Sequence, residues 1–486
     1  MNAWGDILAV LERKRRFSRS GGGEARLIKH RAQGKLNARE RARALFDDGR
    51  WVEIGGLAAN MSENGEHPAP ADGIVAGLGE VFGQPCLTLI EDFTVLAGSI
   101  GDAGAAKRAR VVQLALQEKV PLVFMIEGAG HRLTNVHATP APNDLQLLAD
   151  CHGRIPLVTL VLGASAGHSA LAAPLADFVV MTEAASLFVA GPPIVKGAIG
   201  EDVTKEQLGG PDVHVRQSGV VHNLTLGDSE AVGLARRYLS FVSPCNLEGL
   251  DSLKAIEGEA ILGEILDVVD PNPARAYPMR SVVSLLADRD SMLELQPEWG
   301  ASLIAALIRL GGVPAMVLAN DPSVRAGTID AQAAQKAVHF LRVAEYSKLP
   351  VVFLADNPGV MPGTAAERAG TLRYAAAMFA EQRRLSVPKI HVTLRKAFGF
   401  GSSVMAMNPF DRQTTSLAFP AVTLGAVPVG SGGSAAGLSE SERANAATAQ
   451  TQASWNLAGK LAFDDIIDPR DLRKAIRRSL LLARQR

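Results

Sequence analysis

Two stretches of this chain carry the same succession of apolar and polar runs. From residue 70, GIVAGLGEV and PCLTLIED alternate as two strands, joined by a Gly83-Gln84 turn. Lys107–Glu118 has helical periodicity, while PLVFMIEG and PLVTLVLG are continuous apolar runs. Such runs suit strands covered on both faces. The order then returns. SLIAALIRL and GGVPAMVLAND form a second strand pair, and AQAAQKAVHFLRVAEYS a second helix. LPVVFLADNPG and VPKIHVTLRKAFGFG form two further buried strands. Strand–strand, helix, strand, helix, strand is an α/β pattern with crossover connections. Outside these runs, residues 1–50 are helical and basic, hinged at Gly21–Gly23, with Asn37 placed to cap an amphipathic helix. Residues 197–228 are polar and unpatterned, SPCNLEGLDSLKAIEGE (243–259) resembles a linker, and Asp468–Pro469 opens a last amphipathic helix.

The recurrence is a duplication. Residues 85–130 align without a gap on residues 314–359 at an offset of 229, with 15 of 46 positions identical. Pro85/Pro314, Asp92/Asp321, Gly98/Gly327, Lys107/Lys336, Pro121/Pro350 and Gly130/Gly359 are among them. Glycine and proline in register fix backbone geometry, so the halves share a fold. The period is that of a domain, which places one domain at 1–248 and a second at 249–486.

Composition narrows the class. The 486 residues are 47% hydrophobic and 21% charged with a formal net charge of +0, so no field argues for nucleic acid or a membrane surface. Cys86, Cys151 and Cys245 are too dispersed for a disulfide framework or a zinc ribbon. The first residues lack a signal-peptide core, and the apolar stretch 156–181 holds His168 and Asp177. The expectation is a cytoplasmic globular protein.

Each half has a glycine-containing turn directly after a buried strand: VLGASAGHSALAAP at 161–174 and VTLRKAFGFGSSVMAMNP at 392–409. Small residues let the backbone approach a ligand, and free N–H groups at such a turn can hold an oxyanion. Tight strand–helix packing needs the same small residues; two equivalent turns shift the balance towards function.

With these motifs the chain resembles the carboxyltransferase (β) subunit of biotin-dependent acyl-CoA carboxylases, of the propionyl-/methylmalonyl-CoA type. The resemblance runs through GGGEARLIKHRAQGKLNARERARALFDDGRWVE, DGIVAGLGEVFGQPCLTLIEDFTVLAGSI and DFVVMTEAASLFVAGPPIVKGAIGEDVTKEQLGG. It continues through RAGTIDAQAAQKAVHFLRVAEYSKLPVVFLADNPGVMPGTAAERAG and VPKIHVTLRKAFGFGSSVMAMNP. It implies an α/β fold of two tandem crotonase-like β-β-α spiral domains, with the acyl-CoA on the first and biotin on the second. It also implies a homo-hexamer with sites at dimer interfaces between the first domain of one subunit and the second of another. The implied activity is transfer of a carboxyl group from carboxybiotin to the α-carbon of an acyl-CoA. By resemblance, the amides of Gly167 and His168 hold the thioester enolate, and those of Phe400 and Gly401 the ureido oxygen. Gly98, Gly128, Ala129, Gly130 and Arg132, with Gly399 and Ser403, fall on substrate-binding positions. No side-chain base is required, because the ureido nitrogen can take the α-proton. The chain has no Met-Lys-Met biotinylation signal and no ATP-binding loop. Biotin therefore arrives on a biotin carboxylase/biotin carboxyl carrier partner. No metal, nucleic acid or membrane is expected.

Several residues depart from the family. Gly167-His168 stands for Gly-Gly, Glu127–Arg132 for DSGGAR, and Gly399-Phe400-Gly401 for Gly-Gly-Ala. An amide donates whatever its side chain, but the bulk of His168 and Phe400 reshapes the pockets. Ser403 stands where the family often has Asp or Ile, so propionyl-CoA or a longer or branched acyl-CoA is expected to be favoured. His168 between Ser165 and Ser169 invites a serine-hydrolase reading, yet no triad partner is recognisable. Glu127 reads as a surface or strand-end carboxylate rather than a hydratase-type acid/base. Arg31–Arg43 suits either CoA phosphates or a solvated helix face, and His131, His137 and His152 are too scattered for a metal. The competing functions are a biotin-dependent acyl-CoA decarboxylase subunit and a non-catalytic scaffold binding acyl-CoA or a biotin carrier.

Overall fold

Both alternating runs fold as antiparallel hairpins that open a mostly parallel sheet. The computed structural model describes residues 3–58, 69–132, 144–242 and 251–483. It divides into two units, Met1–Ser243 and Pro244–Arg486.

In the first unit the strands are β1 Trp51–Glu53, β2 Ile74–Val81, β3 Gln84–Glu91, β4 Leu122–Ile126, β5 Leu157–Val161, β6 Ala164–Ala166, β7 Phe178–Thr182, β8 Ser186–Phe188 and β9 Asn223–Thr225. The main sheet runs β1-β2-β3-β4-β5-β7-β9. Its first three strands are antiparallel and the rest parallel. β6 and β8 leave that sheet and pair in parallel with each other, so successive turns of the chain stack as a spiral. The hairpin turn is Phe82-Gly83 (φ 52° and 72°), one residue before the expected place, because Gln84 already pairs with Val81.

The second unit repeats this with β10 Leu293–Leu295, β11 Leu303–Leu310, β12 Val313–Asn320, β13 Val351–Asn357, β14 Lys389–Phe398, β15 Thr415–Ala418, β16 Thr423–Gly425 and β17 Asp465–Ile466. The order is β10-β11-β12-β13-β14-β15-β17, with β16 on β14. The ten-residue β14 pairs with β15 through Ile390–Thr393 and with β16 through Lys396–Phe398. One strand thus does the work of β5 and β6.

The shared residues explain the shared architecture. The crossover helices are Asp102–Glu118, which begins five residues before the expected Lys107, and Ala331–Tyr346. Each buries one lysine. Lys107 Nζ donates to the carbonyls of Ala71 (2.9 Å) and Ile74 (2.7 Å), and Lys336 Nζ to Leu303 (2.8 Å). Each lysine ties its helix to the end of the hairpin. Burial pushes them down to about 8 and about 7. Gly98 and Gly327 are left-handed (φ 63° and 76°), and a methyl on either would overlap the carbonyl of Glu127 or Asp356.

Local signals elsewhere hold in part. Asn37 Oδ1 accepts from the amides of Arg39 and Glu40, both at 3.0 Å, and Glu40 returns a bond to the Asn37 amide. The stretch 197–228 is not structureless: it holds the helix Lys205–Gly209, a wide helical turn Asp212–Gln217 and β9. These pieces are too short to show periodicity. The expected linker contains the helix Leu253–Glu257, and its first part, 243–250, lies outside the described residues. Among the described residues, no helix is long and apolar enough to cross a membrane.

Candidate functional site

The first-unit turn follows β6. Gly167 is left-handed (φ 60°) and hands the chain to His168, which opens the short helical turn Ser169–Leu171. The Gly167 amide donates to the carbonyl of Phe188 at 3.1 Å, completing the β6–β8 ladder. That corrects the expectation that Gly167 and His168 together present free donors. The His168 amide makes no hydrogen bond among the described residues, and neither does that of Gly130. Gly130 (φ 78°) approaches so closely that a methyl on it would lie 2.9 Å from the Ala166 carbonyl oxygen and 3.8 Å from the His168 nitrogen. Two unpaired N–H groups therefore come together from two loops.

The expected residues Gly98, Gly128, Ala129, Gly130 and Arg132 are assembled around this point. Ala129 donates to the Ala97 carbonyl (3.1 Å), and Gly128 accepts from Ala166 (3.0 Å). Gly130 accepts from Ile100 (2.8 Å), and Arg132 donates back to Ile100 (3.0 Å). The Arg132 guanidinium is committed to Asp72 (2.8 Å) and to the Ser99 carbonyl (2.9 Å). These bonds brace the loop that carries Gly130. Beside the loop opens a cleft of ≈ 450 Å³ whose lining includes Arg26, Lys29, His30, Phe93 and Ala97. Cations over an apolar floor suit a phosphate-bearing ligand.

Two buried charge networks support the turn. Glu127 stands at the end of β4, a strand-end carboxylate as expected, but it is buried rather than on the surface. His30 (3.3 Å), Lys35 and Arg41 (2.6 Å) surround it, and Arg41 also pairs with Asp228 at 2.8 Å. Burial opposes its ionisation, but His30, Arg41 and Lys35 outweigh it and hold Glu127 at about 2. Arg41 therefore points inward, neither solvated nor free for a CoA phosphate.

The second network starts at Arg108, which grips Glu91 (2.8 Å) and Asp144 (2.9 Å). Ser169 Oγ donates to Glu91. Asp144 Oδ1 lies 2.6 Å from His168 Nε2, and His168 Nδ1 lies 3.1 Å from His131 Nε2. Burial opposes ionisation of Asp144 too, but Arg108 and His168 hold it at about 2. This Asp–His–His chain has no signature in the sequence. Asp144 is 24 residues from His168 and His131 is 37, with no motif spacing to join them.

In the second unit Gly399 (φ 51°) occupies the place of Gly167 and begins the helix Gly399–Val404. The amides of Gly399, Phe400 and Gly401 are its first three and have no helical carbonyl behind them. Gly401 is buried, and a methyl there would overlap Asn357 Oδ1 and lie 2.7 Å from Gly359 Cα. Asn357 Oδ1 accepts the Gly359 amide at 3.0 Å, so this loop, unlike that of Gly130, keeps its N–H occupied. Phe400 is 40% exposed and meets Phe379 edge-on, ring centroids 5.5 Å apart. Ser403 is half-buried in the next turn, its carbonyl accepting from Gln382 at 3.3 Å. Asp356, the counterpart of Glu127, is likewise buried and paired, with Arg395 at 2.7 Å. Among the described residues, no cluster of His, Cys, Asp or Glu could hold a metal ion.

Against known proteins, the carboxyl transferase domain matches residues 29–485. The methylmalonyl-CoA carboxyltransferase 12S subunit of Propionibacterium freudenreichii subsp. shermanii is 30% identical over 97% of this chain and 93% of its own. A biotin-dependent acetyl-/propionyl-coenzyme A carboxylase beta5 subunit of Mycobacterium tuberculosis is 34% identical over 82% of this chain and 75% of its own. The crystal structure of a transcarboxylase 12S hexamer with hydrolysed methylmalonyl-coenzyme A bound superposes with a TM-score of 0.88 at 27% identity, covering 100% of this chain and 97% of that one.

Proposed function

The chain belongs to the carboxyl transferase domain family, with two crotonase-like domains. From that premise we propose that it is an enzyme moving a carboxyl group from carboxybiotin, carried on a partner protein, to the α-carbon of an acyl-CoA. The observation that carries this reading is the family match over residues 29–485, which includes both glycine turns.

The reaction develops negative charge at two oxygens, the thioester oxygen of the enolate and the ureido oxygen of biotin. Backbone amides aimed at each would stabilise that charge without reorganising, and one such donor is typically worth a factor of about 10²–10³ in rate. On the acyl side the donors are Gly130 and His168, the two unpaired amides, in place of the Gly167–His168 pair. On the biotin side they are Phe400 and Gly401. The Arg26–Lys29 cleft takes the phosphates of CoA. Ser403 floors the acyl pocket and favours propionyl-CoA or longer chains, since each extra buried methylene is worth about 0.8 kcal/mol. The domain division of labour, acyl-CoA on the first and biotin on the second, and a homo-hexamer with a biotin carboxylase/carrier partner complete the proposal.

The test supplies biotinylated carrier protein, biotin carboxylase, ATP and labelled bicarbonate with acetyl-, propionyl- and butyryl-CoA. Acid-stable label in the acyl-CoA is expected. No label with any of the three, under conditions where the carrier is carboxylated, overturns the reading.

A further inference from the structure

We propose that Lys389 and Gln382 position the second-unit turn: the lysine ammonium orients the glutamine amide, that amide holds the far end of the helix carrying Phe400 and Gly401, and loss of the lysine proton releases it. This rests on reading that turn as the biotin-side donor.

β14 is buried along almost its whole length, yet one of its faces is polar. Lys389, His391, Thr393 and Arg395 alternate with Ile390, Val392 and Leu394, which join the core. A strand period of two puts the four polar side chains on one side. The carbonyls where the helix Gly399–Val404 ends need donors, and buried side chains supply them. His391 Nδ1 donates to the Met405 carbonyl at 2.7 Å. Gln382 Nε2, from the helix Thr371–Arg384, donates to that of Ser403 at 3.3 Å. Gln413 and Ser416 donate to those of Ala406 (2.6 Å) and Met407 (2.7 Å). The helix is thus held from its carbonyl end.

The duplication separates the shared part of this clamp from the added part. At the offset of 232 that sets Gly399 against Gly167, His391 falls on Thr159. The Thr159 hydroxyl donates to the Ala172 carbonyl at 3.1 Å, at the end of the first-unit turn. Lys389 falls on Leu157, so the charged member is an addition of the second unit.

An ammonium has three protons and no lone pair. Lys389 Nζ faces three oxygens: the carbonyls of Gln382 (2.9 Å) and Asp411 (2.8 Å), and Gln382 Oε1 (3.2 Å). Because the ammonium can only donate, Oε1 turns to it and Nε2 turns to Ser403. A neutral amine carries a lone pair in place of one proton. It accepts from Gln382 Nε2 once that amide flips, and Oε1 then meets the Ser403 carbonyl oxygen to oxygen. The clamp opens, and the amides of Phe400 and Gly401 lose their fixed direction. The proton leaves Nζ for solvent, and no bond between heavy atoms changes. Burial pushes Lys389 down to about 8; Asp411 favours its charge, while Arg383 and Arg412 oppose it. His391, on the same face, is held at about 4 by burial and stays neutral around this pH. The release therefore falls just above neutral pH.

The experiment uses the full-length protein and carboxybiotin on a carrier protein, prepared with biotin carboxylase, ATP and bicarbonate and then freed of them. The enzyme-dependent decarboxylation rate is followed without acyl-CoA on both sides of pH 8, with circular dichroism confirming the fold at each pH. Wild type is expected to lose rate through a one-proton limb near pH 8. Gln382→Leu is expected to be slower by at least about tenfold below that limb, short of the about 10²–10³ that a deleted donor costs, and to lack the limb. Lys389→Met should behave in the same way. A purely structural role for either residue would leave the limb in place. A flat wild-type profile, an unchanged limb in folded Gln382→Leu, or wild-type rates in folded Lys389→Met each overturns the proposal. Absence of wild-type decarboxylation at every pH overturns the biotin-side reading itself, a result distinct from a flat profile.

Discussion

Replacing Gly401 by alanine adds one methyl group at the second-unit turn. That methyl would overlap Asn357 Oδ1 and stand 2.7 Å from Gly359 Cα. Carbon atoms rest about 3.5–4.0 Å apart, so something must move by about 1 Å. Gly401 cannot easily yield, because it lies in the first turn of a helix leaving the buried β14. Asn357 cannot swing aside without breaking its bonds to Gly359 (3.0 Å) and Asn320 (3.0 Å). Gly401 has no left-handed φ, so backbone strain is absent and the contact alone sets the cost. Overpacking of this kind typically costs about 1–3 kcal/mol. A misplacement of about 1 Å at a reacting centre costs about 10² in rate. The expected result is a folded protein with Tm lowered by several degrees and carboxylation slowed about 10²-fold. Decarboxylation of carboxybiotin without acyl-CoA should fall equally, while propionyl-CoA binding is spared. Gly430→Ala is the control, since nothing lies within 4 Å of a methyl there. Turnover of Gly401→Ala within about threefold of wild type would refute a role for this turn.

Three further outcomes follow from the buried charges and the pocket. Glu127 sits at about 2 against an ordinary 4.5, so its pairing stabilises the fold fully above pH 4.5 and is lost as pH falls towards 2. Glu127→Gln should cost about 3 kcal/mol at neutral pH and flatten acid denaturation in that window; an unchanged acid limb in circular dichroism counts against it. Lys336 sits at about 7 against an ordinary 10.5, so the unfolded chain binds the extra proton between those values and stability rises with pH there. Lys336→Met should remove its share of that rise, read from urea midpoints at pH 7 and pH 10. Ser403→Ile should shift kcat/KM from propionyl- and butyryl-CoA towards acetyl-CoA; identical ratios in both proteins would show that Ser403 does not floor the pocket.

Some of the missed features have clear physical causes. The pattern of Arg31–Arg43 suits a solvated or phosphate-binding face because helical periodicity does not say what lies beneath a helix. Arg41 is buried since Glu127 and Asp228, 86 and 187 residues away, wait under it. A turn after a strand ordinarily leaves donors unpaired, which is why the local pattern predicts a free Gly167 amide. Phe188, at the end of β8 on the next turn of the spiral, takes that donor.

The sequence by itself determined the duplication, the two hairpin-led sheets, the crossover helices and the places of both glycine turns. All of these follow from short-range rules: side-chain period, glycine and proline dihedrals, and capping residues a few positions apart. Lys107 and Lys336 were visible as an identity, though not as buried ties to the hairpin. Tertiary structure alone decided which amides remain free, which charges are buried, and that Asp144, His168 and His131 form one chain. Those outcomes depend on loops brought together by the stacking of successive turns, and a distance of 2.6 Å between residues 24 apart has no counterpart in local pattern.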